Sequence, residues 1–210
     1  MRKLLCVVPL SLAFLGSACA QTYEVSISRS LARMSKKPLG SNNTLLPVND
    51  ETTLRNGSGY GIRFTLNSRG YYGHEIGFVH TRAGLRTVTF AADGTKTNVE
   101  TNVRIEEAFY NFLIYMMPRG ERWRPYITGG VQAHQTGNPK IANWTGRASR
   151  NYGVNYGAGI KFKLVNHVLF RLDLRDYFTG VPYDLQFSDI EGYRGFFRQQ
   201  EASFGLALGF

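Results

Sequence analysis

Cys6 and Cys19 are the only cysteines of this 210-residue chain, and beyond residue 20 there is none. Disulfides are thereby excluded as a source of stability, which leaves a packed core, a metal or a lipid surrounding. Four histidines without a metal-ligand spacing, and no thiol to assist them, give no reason to call for a metal or any other cofactor. After the N-terminal segment no apolar run approaches the length of a spanning helix, and a mean hydropathy of −0.24 is too polar for helical membrane protein. Internal helical repeats, linkers and low-complexity blocks are missing too, so the length suits one domain. No nucleic-acid recognition motif appears.

What is present begins at the front. Met1-Arg2-Lys3 is a basic start, Leu4 to Gly16 is apolar apart from Ser11, and Ser17-Ala18-Cys19-Ala20 is a small-residue cleavage site. Residues 1–20 therefore read as a secretory signal peptide and 21–210 as the mature domain. Ser17 and Ala18 would also suit a lipid-modified Cys19, but Gly16 stands where that signal wants a branched apolar residue. Removing Arg2 and Lys3 takes the formal net charge from +10 to +8, a balance that favours anionic partners such as lipopolysaccharide phosphates or acidic glycans.

The rest of the chain alternates with a period of two, the signature of strands with one apolar face. In the last stretch Ala202, Phe204, Leu206, Leu208 and Phe210 share one parity, and Gln199, Glu201, Ser203, Gly205, Ala207 and Gly209 the other. Strand one is expected around Tyr23, Val25 and Ile27, and a long polar loop from about Ser30 to Asn56. Strand two carries Tyr60, Ile62, Phe64 and Leu66 to a turn at Asn67-Ser68-Arg69-Gly70. Strand three runs from Tyr72 beyond Arg82 to a tip at Asp93-Gly94, and strand four returns to Met116. Val103 and Ile105 break the parity of Ala108, Tyr110 and Phe112, which predicts a bulge near Glu106. Strand five covers Arg124 to His134, strand six Asn151 to Leu164, strand seven Val168 to Arg175, and strand eight the C-terminal stretch. Connections alternate long and short, as in an antiparallel up-and-down transmembrane β-barrel of eight strands with long extracellular loops and both termini in the periplasm. Only helices and closed barrels satisfy every backbone group inside a bilayer.

The glycines sit on the polar faces, as at Gly153, Gly157 and Gly159, which makes room there for long charged side chains and points those faces inward. The soluble alternative, a lipocalin-like carrier, would put Tyr156 and Ile160 in the lumen, but no Gly-x-Trp lies near strand one. By parity the lumen holds Arg63, Glu75, Glu107, Lys161, Lys163, Arg171, Asp173, Arg175 and Glu201. Buried charges of both signs imply an ion-pair network that plugs the barrel; the functional alternative is a narrow channel for ions or small polar solutes. Tyr23, Tyr71, Tyr72, Trp123, Tyr126, Phe170 and Phe210 at one end, and Tyr60, Tyr152 and Tyr177 at the other, read as interfacial girdles.

The leader, the eight strands, the run Tyr152-Gly-Val-Asn-Tyr-Gly-Ala-Gly-Ile-Lys-Phe162 and the aromatic-rich last strand resemble the small outer-membrane barrel superfamily, with OmpA-type barrel domains and opacity proteins nearest in shape. The resemblance spans the mature chain, carries no catalytic motif and implies a bacterial outer-membrane location. It implies that Phe204, Leu206, Leu208 and Phe210 form the signal read by the barrel-assembly machinery, and that outer-membrane lipid and lipopolysaccharide surround the wall. On this reading the chain is expected to lack the peptidoglycan-binding domain that follows some such barrels.

Two features carry sharper readings. Ser58, His80 and Glu106 fall nearly opposite one another on the lipid-facing parity of strands two, three and four, where nucleophile, base and orienter could cleave an acyl chain of lipid A. Against this, no histidine and serine stand two apart on one strand. Arg33, Lys36, Lys37, Arg55, Lys140, Arg147, Arg150 and Arg194 place basic charge in the long loops, either merely solvated or in contact with acidic surface ligands. The reading carried forward is a structural or surface-interaction barrel with a plugged lumen, and no enzyme.

Overall fold

The computed structural model describes residues 22–41, 50–68, 70–90, 93, 95–142, 144–185 and 195–210. The expected leader, Arg194, and Arg69 and Gly94 of the two expected turns lie outside these residues. The strands are β1 (Tyr23–Met34), β2 (Asp50–Ser68), β3 (Tyr72–Phe90), β4 (Lys96–Tyr115), β5 (Trp123–Thr136), β6 (Arg147–Ala148), β7 (Arg150–Val165), β8 (Val168–Thr179), β9 (Tyr183–Asp184) and β10 (Phe197–Gly209). Eight of them close into an antiparallel barrel in the order β1-β10-β8-β7-β5-β4-β3-β2, while β6 and β9 pair as a separate two-stranded ribbon.

Barrel size follows from the register. Glu24 pairs with Thr65, Thr65 with Glu75, Glu75 with Asn111, Asn111 with Gly130, Gly130 with Asn155, Asn155 with Tyr177, Tyr177 with Gln199, and Gln199 with Met34. One circuit thus returns to β1 ten residues above its start (34 against 24). Eight strands with that stagger tilt roughly 35–45° and enclose space only for their own side chains.

The β2–β3, β4–β5 and β7–β8 connections lie at one end, and the β1–β2, β3–β4, β5–β7 and β8–β10 connections at the other. We call these the short-turn and long-loop ends. The φ of +80° at Gly70, beside the β2–β3 turn, is one that a side chain would strain. Gly159 answers a different need. A Cβ there would lie 2.5 Å from Cζ of Tyr126, so the absent side chain is what lets that ring lie across β7 inside the barrel.

Three expectations need correcting. The loop assigned to Ser30–Asn56 is strand at both ends: β1 continues to Met34, and β2 starts at Asp50, with Thr52 opposite Thr87. β4 has no bulge near Glu106, because its pairing with β3 runs unbroken from Tyr72–Ile114 to Phe90–Lys96. The irregularity lies across the hairpin in β2, between Leu54 and Gly57. Val103 and Ile105 point inward like Glu107, Phe109 and Asn111, and what changes along β4 is the chemistry of the interior, not the parity. Finally, Tyr126 and Tyr177 are buried in the lumen rather than in the girdles, since they share parity with Arg124 and Arg175.

Exposure settles which face looks inward. Ile27, Ile62, Val131, Tyr156 and Leu172 stand on the outer wall, whereas Lys161 and Arg171 are 0% and 1% exposed within. A soluble carrier has the opposite arrangement. An apolar belt of this extent, closed around the whole ring, needs a hydrocarbon surrounding.

Candidate functional site

The lumen is filled by three polar layers. Nearest the short turns, Lys161 donates to Glu24 and, at 2.8 Å, to the Tyr115 hydroxyl, while Asn67 donates to Glu24 at 2.6 Å. Arg124 places its guanidinium carbon 3.7 Å from the Tyr115 ring centroid and donates to the Gly70 carbonyl at 2.9 Å.

The middle layer centres on Asp173. Arg171 grips that carboxylate through two hydrogen bonds of 2.7 and 2.9 Å, Arg63 donates at 2.8 Å and Arg175 at 3.2 Å, and the Tyr126 hydroxyl adds another. Glu75 is the second hub, taking Arg171 at 2.5 Å, Arg175 at 2.6 Å and the Thr65 hydroxyl at 3.0 Å. Arg63 reaches on to Glu201 at 3.2 Å and Ser203 at 3.0 Å. In the third layer His134 meets Glu107 at 3.3 Å and Thr136 at 2.8 Å, and Gln199 donates to Glu107 at 3.1 Å. Among the described residues, five buried cations, Arg63, Arg124, Lys161, Arg171 and Arg175, thus share the interior with five buried carboxylates, Glu24, Glu75, Glu107, Asp173 and Glu201. A balanced interior is the condition under which so many charges can be desolvated together.

Eight of the nine expected lumen residues are buried where parity places them. Lys163 is the exception: it is half-buried beside the register shift at the β7–β8 turn and belongs to none of the layers. Glu24 and Arg124 were missed, although each alternates with exposed aromatic or apolar neighbours and so carried the same signal as Arg63.

Above the third layer the interior turns apolar. Ala32, Met34, Leu54, Ala83, Leu85, Val103, Ile105 and Phe197 from the strands meet Leu39, Tyr183 and Leu185 from the connections, with Ile141, Trp144 and Val181 packed against them. The Tyr183 hydroxyl donates to the Gly137 carbonyl at 2.6 Å, and burial pushes its phenol pKa upward. This plug ties three of the long connections to the strand ends.

On the outer wall, His80 and Glu106 are direct cross-strand partners, with Nδ1 3.8 Å from Oε1. Ser58 is not opposite His80: it pairs with Arg82, while Tyr60 pairs with His80 and packs on its ring at 5.2 Å. The Ser58 hydroxyl instead accepts a hydrogen bond from Arg29 at 3.1 Å. Base and orienter come together without the nucleophile. Of the basic loop residues, Arg33, Arg55, Arg147 and Arg150 lie on strands, whereas Lys36, Lys37 and Lys140 lie in connections. Phe204, Leu206, Leu208 and Phe210 all face outward.

No protein-family model matches the sequence, and no curated relative does. Solved structures are similar in shape. The outer membrane protein OprG from Pseudomonas aeruginosa superposes with a TM-score of 0.59 at 12% identity, covering 90% of this chain and 97% of its own. The fold is that of the small outer-membrane barrels. Neisserial surface protein A gives a TM-score of 0.53 at 11% identity, over 91% of this chain and 99% of its own. Ail, the attachment invasion locus protein of Yersinia pestis, solved in complex with the heparin analogue sucrose octasulfate, gives 0.51 at 12% identity over the same shares. At such identities the small-barrel fold is what is shared.

Proposed function

We propose that this chain is a bacterial outer-membrane protein that spans the membrane as a sealed barrel and presents its long-loop end outside as a basic surface for acidic ligands. The observation that carries this reading is the wall itself: hydrocarbon-facing Ile27, Ile62, Val131 and Leu172 in the belt, then exposed Arg33, Arg55, Arg82 and Arg104 beyond it. The termini then lie in the periplasm, residues 1–20 are the export signal, and Phe204 to Phe210 engage the assembly machinery. The three polar layers and the apolar plug favour a structural lumen over a channel. Acidic surface ligands also suit the complex of Ail with a sulfated sugar, a property of that neighbour which this chain's basic end makes reasonable here.

Membrane fractionation with heat-modifiable gel mobility tests the barrel, and planar bilayers test the lumen, where silence is expected. Retention of sucrose octasulfate should fall steeply with salt, because exposed charge is screened within about 8 Å at physiological ionic strength; retention unchanged by salt would rule out the electrostatic mechanism. The separation of Ser58 from the His80–Glu106 pair predicts an unchanged lipid A mass spectrum on expression of the wild type.

A further inference from the structure

The outer wall of β3, β4, β5 and β7 holds an arrangement that neither sealing nor general basicity requires. Arg82 and Arg104 are direct cross-strand partners, both exposed on the outward face. Like charges directly opposite on neighbouring strands destabilise a sheet. No carboxylate is within ion-pair distance of either guanidinium among the described residues; the one acid on this patch, Glu106, lies a row below against His80 at 3.8 Å. Arg150 adds a third cation and is held by the Gln135 side-chain oxygen at 3.2 Å.

Below this cluster the wall has a gap. Along one row, Phe78 pairs with Ala108, Ala108 with Ala133, and Ala133 with Tyr152. Two alanines between two exposed rings leave a depression of about 270 Å³, bordered above by Glu106, Gln135 and Arg150. The apolar side chains of the belt end here and the arginines begin, so the gap opens downward along hydrocarbon and upward onto cations.

We propose that this patch seats one phosphorylated lipid of the outer leaflet, its phosphate bridging Arg82 and Arg104 and one acyl chain lying over Ala108 and Ala133 between Phe78 and Tyr152. A phosphate between the two guanidinium groups removes their repulsion, and each offers paired N–H donors to its oxygens. The groove accounts for why the occupant is a lipid and not a soluble anion: alanines at that height have no packing role unless something fills the space. The site rests on the outer-membrane orientation proposed above.

The full-length barrel, refolded in detergent, is exchanged into nanodiscs of phosphatidylethanolamine with a few per cent of bisphosphorylated hexa-acyl lipid A, and lipid retained on release is counted by native mass spectrometry. Wild type should keep one lipid A in preference to phosphatidylethanolamine. R82Q/R104Q should lower that preference about tenfold, and A108L/A133L should lower it similarly. Inorganic pyrophosphate should not compete at concentrations matching the lipid. Equal preference in wild type and R82Q/R104Q, undiminished preference in A108L/A133L, or equal competition by pyrophosphate would each overturn the proposal. R33Q, on a distant strand, controls for general charge loss. Heat-modifiable mobility verifies that each variant is folded, and R82K replaces any that is not, with an intermediate loss expected and wild-type preference counting against the site. Failure of the barrel to insert, with no lipid of either kind retained, would instead strike at the membrane reading itself.

Discussion

In the half of the barrel nearer the short turns, charge is inside and hydrocarbon outside. Nearer the long loops β3 and β4 keep the same alternation and β2 switches parity at its irregularity between Leu54 and Gly57, so that Leu54, Leu85, Val103 and Ile105 point inward while Arg55, Arg86, Asn98 and Glu100 point outward. In β3 and β4 the backbone does not register the change, and the two stay paired residue for residue through it. Alternation therefore reports strand geometry alone. What occupies each face is set by what lies beyond the wall, lipid at one height and water at the other, and the interior takes the complementary chemistry. The His134–Glu107–Gln199 layer marks where one regime gives way to the other.

Removing the hub of the polar half should produce the largest effect. Asp173→Ala leaves Arg63, Arg171 and Arg175 without the carboxylate they share, and taking one partner from a buried ion pair costs about 3–5 kcal/mol. Urea unfolding in lipid vesicles, followed by heat-modifiable mobility, measures it. A loss below about 1 kcal/mol would mean that water screens the lumen and that these charges are not desolvated.

The apolar half should answer differently. Leu85 is fully buried in the plug, and Leu→Ala at such a site costs about 2–5 kcal/mol. Because the plug ties down the connections, amide exchange and limited proteolysis at the long-loop end should respond more than unfolding of the belt. Loss of the belt and the plug in one step would show the two halves to be a single cooperative unit.

A charge placed on the outside sharpens the contrast further. Ile62→Arg puts a guanidinium on the lipid face, where about 2–4 kcal/mol is expected near the bilayer midplane, whereas Asn102→Arg, on the outward parity of β4 beyond the belt, should cost close to nothing. Equal costs at the two positions would place them in the same surroundings.

Much of this was legible in the chain before any coordinates. Period-two alternation located all eight barrel strands, and the charges of one parity located most of the polar layers. It went wrong where a single rule for inside was carried along a whole strand. Val103 and Ile105 break no register; they are inward residues of the water-surrounded half, and only the neighbours they meet, Leu54, Leu85 and Met34 from other strands, reveal that. The Ser58–His80 juxtaposition failed by one row, because counting from the turn at residues 67–70 leaves the register uncertain by one residue on each strand, and His80 in fact faces Tyr60. The Arg82–Arg104 pairing was hidden for the same reason, since a like-charge neighbour becomes visible only when the register is known.

The smallest effect belongs to an ion pair that geometry alone would rank beside those in the lumen. Arg55 and Glu100 meet at 2.8 Å, the separation of Arg63 and Asp173, and Arg86 lies 3.7 Å from the same carboxylate. Yet Arg55 and Glu100 have side chains 56% and 55% exposed, against 0% and 1% for the buried pair. In water the attraction is screened and two flexible side chains must be ordered to gain it, so Glu100→Gln should cost at most about 1 kcal/mol, and less as salt is raised. A loss approaching that of Asp173→Ala would mean that the pair is not bathed in water when the protein is in its membrane. The β3–β4 hairpin would then have to be covered by another molecule, and the comparison of a lipid-clad half with a solvated half would hold only for the isolated barrel.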